Sequence, residues 1–298
     1  MKQLREYIKH ILLENKLSGN TIENVIDLLD GYSSNTWIFF DTETTGLQPS
    51  SSQLTEIGAI AVDPNAWSSE STVLDQFNEK ISLTDESKRL LKDPESIERK
   101  AWEKSNMGGR NPLKDPQAIL SMTRYGEKGR AYGEEQEVLD KFFEWADGFS
   151  NPLFIAQNAS FDLKFLNVRS GGKLPKYPVL DTKQLMEMYL IPLLKTQTAA
   201  EAGDPAAQDL LDKLYIKKGN WGYHSSSMGV VSKAYGISIA GWHNALADVK
   251  MMMSMYRSVV ETIRKGMSTD ITGEQGKFLS RSHKRKKKRK NTMKLFLN

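Results

Sequence analysis

The stretch Trp37-Ile38-Phe39-Phe40-Asp41-Thr42-Glu43-Thr44-Thr45-Gly46 sets an apolar run directly against two acids and closes on a glycine. Its bulky aromatic and β-branched residues predict a short strand. Alternate residues of a strand share a face, so Asp41 and Glu43 point the same way. Two neighbouring carboxylates repel each other unless a cation sits between them. Oxygen-only ligands of this kind suit Mg²⁺ or Mn²⁺ rather than zinc. An Asp-x-Glu pair is also what a polar turn looks like, so the reading needs support from elsewhere in the chain.

Working outward, Leu54 to Val62 and Thr72 to Leu83 read as second and third strands, antiparallel neighbours of the first because they lie so close in sequence. Thr84 to Gly133 is rich in charge, Gly and Pro and reads as a surface excursion with one helix around Pro94 to Lys104. Beyond it, Val138, Leu139, Phe142, Phe143 and Ala146 mark an amphipathic helix. Leu153 to Ala156 then reads as a buried strand, Phe161 to Val168 as a helix and Val179 to Leu180 as a strand edge. That alternation predicts an α/β fold with a mixed sheet flanked by helices. A second excursion, about Ile191 to Gly222, precedes a helix near Met228 to Tyr235 and a long final helix from Ala245 to about Lys265. Met251, Met252, Met253 and Met255 on that helix read as adaptable core packing. Residues 1 to 30 read as two short helices, with Leu4, Ile8, Ile11 and Leu12 at helical spacing.

Composition narrows the function classes. With 298 residues, 39% hydrophobic and 26% charged, the chain can bury a full core as one globular domain with appendages. The expected division is an N-terminal helical appendage at 1–35, a main domain at 36–266 and a basic tail at 267–298. The absence of cysteine rules out disulfides and thiolate-bound zinc and fits a reducing cytoplasm. Apolar runs are too short for a membrane span, and no signal peptide is evident at Met1 to Leu17. The net charge of +4 is uneven: Arg281 to Lys290 holds 8 of the 41 basic residues, leaving 33 basic against 37 acidic residues elsewhere. Such a tail either contacts phosphate, serves as a nuclear address, or is a solvated end.

Two further pieces support the acidic pair. In Asn158-Ala159-Ser160-Phe161-Asp162, Asp162 falls in the first turn of the helix after a buried strand. Ligand sites of open α/β sheets cluster at such strand ends, although an acid there also complements the helix dipole. In Trp242-His243-Asn244-Ala245-Leu246-Ala247-Asp248, a histidine precedes a helix that Asn244 can cap, and Asp248 stands in its first turns. His243 is placed to take a proton near the same acids. Asp181, at a strand end, reads as the cap of the next helix, and His224 as a residue of a polar loop.

Together the three pieces resemble the DnaQ-like, or DEDDh, family of 3'-to-5' exonucleases, which share a ribonuclease-H-like fold. The resemblance runs from about Thr36 to Lys265 and includes Leu54-Thr55-Glu56-Ile57-Gly58-Ala59-Ile60 and Asp181-Thr182. It implies that Asp41, Glu43, Asp162 and Asp248 bind two Mg²⁺ ions, with Mn²⁺ able to substitute, and that His243 is the general base. One ion, bridged by Asp41 and Asp162 or Asp248, would activate the attacking water. The other, held mainly by Asp41 and Glu43, would stabilise the leaving oxygen. The resemblance also implies that the backbone around Thr42 and Thr44, with Glu56, recognises the 3'-hydroxyl, that Leu47 or Phe165 packs on the last bases, and that Asn158 orients the site.

The expected substrate is single-stranded DNA with a free 3' end, digested to nucleoside 5'-monophosphates. The alternatives are RNA-end trimming, or proofreading beside a polymerase docked through residues 1–30. The expected location is the cytoplasm of a bacterium or phage-infected host, or the nucleus in a eukaryote.

Overall fold

The structure is a computed structural model that describes residues 32–50, 52–66, 73–85, 87, 132–199, 203–240 and 244–270. The expected helices of residues 1–30, the helix around Pro94 to Lys104 and residues 271–298 of the expected tail lie outside the described residues, while 267–270 continue the last helix.

Strand β1 (Trp37–Thr44) is the middle of a five-stranded sheet of order β3-β2-β1-β4-β5. It pairs antiparallel with β2 (Leu54–Val62), which pairs antiparallel with β3 (Val73–Lys80). On its other side it pairs parallel with β4 (Leu153–Ala156), and β4 with β5 (Val179–Asp181). The sheet is therefore mixed, with β2 alone running against the others, and the α/β, ribonuclease-H-like expectation holds.

Period-2 alternation along β1 divides the core between two layers. Ile38 and Phe40 point into one with Phe142, Phe154 and Phe165, and Trp37 and Phe39 into the other with Tyr256 and Val259. Helices α1 (Glu135–Asp147) and α2 (Ser160–Arg169) cover the first face, while the last helix, α7 (Ala245–Asp270), covers the second. Tyr256 of α7 meets Trp37 and Phe39 edge-on, with centroids 5.7 and 5.5 Å apart. Such pairs add about 0.5–1.5 kcal/mol each beyond their buried area. Met251, Met252 and Met255 are buried as expected.

The segment from Ile191 to Gly222 is not an irregular excursion. After β5, α3 (Thr182–Leu185) passes through a π turn, Met186–Leu190, into α4 (Ile191–Ala199). Pro192 cannot donate to the i−4 carbonyl, and a widened turn just before it absorbs that loss. Then come α5 (Pro205–Leu214), a two-stranded hairpin of β6 (Tyr215–Lys218) and β7 (Trp221–His224), and α6 (Met228–Ala234). Leu193, Leu194, Ala207, Leu211 and Leu214 add apolar faces to the α7 layer, which is what holds this segment folded. Among the described residues, no helix is long and apolar enough to cross a membrane.

Candidate active site

Asp41 and Glu43 continue the Trp37–Phe39 face of β1 and so project toward α7. There they meet Asp248, buried in the first turn of α7. One carboxylate oxygen from each of the three lies within 4.8 Å of the others. The α7 start can come this close because β2 has Gly58 beneath it: a Cβ there would stand 2.5 Å from the Leu246 nitrogen and 2.6 Å from the Ala245 carbonyl carbon. Asn244 fixes the helix entry. Its Oδ1 accepts from the Ala247 N–H at 3.1 Å, and its Nδ2 donates to Glu56 Oε1 at 2.8 Å.

Asp162 arrives from the opposite layer. Thr42 points away from Asp41, toward α2, and both its N–H (3.0 Å) and its Oγ1 (2.7 Å) donate to Asp162 Oδ1. The carboxylate is held by β1 itself, in one orientation beside the acids of the other face. Burial, then the charges of Asp162, Glu43, Asp248 and Glu56, hold Asp41 well above the ordinary aspartate range. Glu43 is likewise well raised, by burial and then by Asp248, Glu56 and Asp162. Burial pushes Asp162 up to about 7, against the lowering effect of the Thr42 hydrogen bonds. A set of half-buried and buried carboxylates that raise one another's pKa is matched to a hard cation, whose charge reverses each of these shifts.

The remaining expected residues divide. Thr44 turns its hydroxyl onto the Gly46 carbonyl at 2.7 Å, and Leu47 follows with 45% of its surface exposed. Asn158 adopts a left-handed φ of 61° and donates its backbone N–H to Asp181 Oδ1 at 3.0 Å. Asp181 also caps α3 through the Lys183 N–H, the role expected for it. Phe165 corrects the expectation of base packing: it is fully buried in the core, 5.0 Å from the Phe161 ring, and has no face to offer a base. Glu56 is fully buried, and its Oε1 accepts from Asn244. His243 lies outside the described residues.

Sequence reading missed Gly58 and the Glu56–Asn244 bond. Both fall in stretches already singled out, but the contact joins residues 188 positions apart and has no local signature. Among the described residues, His224 pairs with Tyr215 at the base of the hairpin.

Residues 38–105 match the RNase_T exonuclease family. Over 271 residues the chain is 25% identical to the PolC-type DNA polymerase III of Clostridium perfringens, a match covering 90% of this chain and 14% of the polymerase. Among solved structures it is similar to E. coli exonuclease I in complex with a dA16 oligonucleotide, at 16% identity and a TM-score of 0.49, covering 80% of this chain and 43% of that one. The E. coli exonuclease I complex with a dT13 oligonucleotide gives 16% identity and a TM-score of 0.48 over the same shares. The chain thus spans less than half of either relative. The similarity to the RNase_T exonuclease family falls on residues 38–105, the part of the mixed five-stranded sheet whose middle strand carries Asp41 and Glu43.

Proposed function

We propose that residues 36–266 form a 3'-to-5' exonuclease that removes nucleoside 5'-monophosphates from single-stranded DNA. The observation that carries this reading is the convergence of Asp41, Glu43 and Asp248 within 4.8 Å, with Asp162 locked to the same strand by Thr42. These four would hold Mg²⁺, and Mn²⁺ in its place. The cations, when bound, neutralise the phosphodiester's charge, activate water and stabilise the leaving 3'-oxygen.

The chain's own residues do the rest. Glu43 and Asp41, on the rigid middle strand, set the geometry, and Asp248 closes it from a helix start pinned on Gly58 and Glu56. His243, directly before Asn244, accepts the proton of the attacking water on its imidazole. The backbone around Thr42 and Thr44 would meet the 3'-hydroxyl, Asn158 would orient the site, and Leu47 offers an exposed apolar side chain to the terminal base.

DNA is favoured because the Clostridium relative is named as a DNA polymerase. The same name supports a second reading, a proofreading role beside a polymerase docked through residues 1–30. RNA ends are the alternative substrate. Digestion of 5'-labelled single-stranded DNA and RNA of one sequence tests the proposal, with Mg²⁺, with EDTA, and with Asp41→Ala and His243→Ala. A DNA ladder shortening from the 3' end, lost in EDTA and in both variants, is expected. Cleavage confined to RNA would reverse the substrate, and cleavage insensitive to EDTA would refute the mechanism.

A further inference from the structure

Hairpin β6–β7, Tyr215-Ile216-Lys217-Lys218-Gly219-Asn220-Trp221-Gly222-Tyr223-His224, carries two lysines and no acid. Its register pairs Lys218 with Trp221 and Ile216 with Tyr223, so these four side chains share one face. On that face the Trp221 and Tyr223 rings stack at 5.8 Å with 26° between planes, and Lys218 Nζ lies 5.9 and 5.5 Å from their centroids. Yet Trp221 is 61% exposed and Tyr223 39%, so most of the tryptophan and part of the tyrosine are turned to solvent. A hairpin needs burial to be stable, and one that presents its largest rings outward leaves that area for something else.

The hairpin is tied to the segment that leads to Asp162. Ser225, next after β7, donates its N–H to the Leu214 carbonyl at 2.8 Å. Gln157 Nε2 then donates to the Ser226 carbonyl at 2.7 Å, and Gln157 directly precedes the Asn158–Asp162 segment. Thr182 Oγ1 donates to the Gln157 side chain in turn. The turn that delivers Asp162 and the base of the hairpin are therefore one hydrogen-bonded unit.

We propose that the Trp221–Tyr223–Lys218 face is an accessory platform for single-stranded nucleic acid, on which unpaired bases stack upstream of the 3' end while Lys218 meets phosphate. Every base has a π-face, so the platform tolerates any sequence, and the Lys218 cation matches the backbone charge. This rests on the exonuclease reading for the identity of the ligand.

The test uses the full chain and its Trp221→Ala/Tyr223→Ala variant, on a thymidine dinucleotide and on a long oligothymidylate. With Mg²⁺, KM for the long strand rises about tenfold or more at unchanged kcat, while hydrolysis of the dinucleotide, too short to reach the hairpin, is unaffected. Trp221→Phe restores most of the lost affinity, which a merely structural role would not predict. Fluorescence anisotropy with long oligothymidylate, with Ca²⁺ replacing Mg²⁺, measures binding independently of cleavage and shows the same loss. An unchanged KM and Kd in the double variant overturns the platform even if cleavage is normal. If the wild type cleaves nothing, the exonuclease reading falls, and the anisotropy still decides the platform.

Discussion

Gly58→Ala adds one methyl group to the protein, and the structure says where it goes. The new Cβ would stand 2.5, 2.6 and 2.9 Å from the Leu246 nitrogen, the Ala245 carbonyl carbon and the Leu246 Cα. All three are backbone atoms, so no side chain can rotate away. Ordinary carbon contacts lie near 3.5–4.0 Å, so the start of α7 must retreat from β2 by about 1 Å. Overpacking of this kind costs about 1–3 kcal/mol of stability. The larger consequence is geometric, because the retreating turn carries Asn244 and Asp248. A shift of about 1 Å in a reacting constellation costs on the order of 100-fold in rate. Single-turnover digestion of a labelled oligonucleotide, beside urea unfolding of the same preparation, separates the two effects. The expected result is a variant that remains folded at assay temperature, loses about two orders of magnitude in kcat and needs more Mg²⁺ for half-maximal rate. A Gly58→Ala enzyme with wild-type kcat and Mg²⁺ dependence would refute the idea that close approach at this glycine places Asp248.

Phe165→Ala should lower stability by about 3–5 kcal/mol, as large-to-small changes in a sealed core do, and in the fraction that stays folded KM should be unchanged; a raised KM without loss of stability would return Phe165 to the substrate. Metal-free protein should lose stability as pH rises from about 4 to about 7. The folded state keeps the Asp162 proton up to about 7 while the unfolded chain releases it near 3.8, so the folded state binds more protons across that window and the slope is negative. The shift corresponds to a loss on the order of 4 kcal/mol, with Asp41 and Glu43 acting in the same direction. Urea midpoints in EDTA read it, saturating Mg²⁺ should flatten it, and midpoints that rise with pH in EDTA would contradict it. Thr42→Val keeps the backbone hydrogen bond to Asp162 but removes the 2.7 Å one, and should weaken metal affinity by about 10–100-fold, measured by calorimetric titration.

What the sequence made legible was local. A period-2 pattern places Asp41 and Glu43 on one face whatever the rest of the chain does, and the strand ends at Leu153–Ala156 and the helix turn at Asp162 follow from short-range signals. The cap role of Asn244 was readable for the same reason. In the segment from Ile191 to Gly222, Pro192 and the Gly203-Asp204-Pro205 break hide two helices and a hairpin. The available signal was Gly219-Asn220, a two-residue turn between β-prone runs, and Gly219 takes the φ of 59° such a turn requires. The resemblance offers Leu47 or Phe165 to the last bases, whereas only packing shows which side of α2 meets the core.

The site itself depends on contacts no local pattern encodes. Each acid is brought in by a different long-range constraint: Asp162 by Thr42, and Asp248 by the missing side chain at Gly58 together with the Glu56–Asn244 bond. Glu56 explains why the arrangement costs stability and is still held. A fully buried acid raises the pKa of Asp41 and Glu43, which is unfavourable without a cation, but it also anchors the cap that delivers Asp248. An apolar residue at 56 would relieve the repulsion and release the helix start. The protein therefore stores electrostatic strain to fix a geometry, and a bound cation converts that strain into affinity.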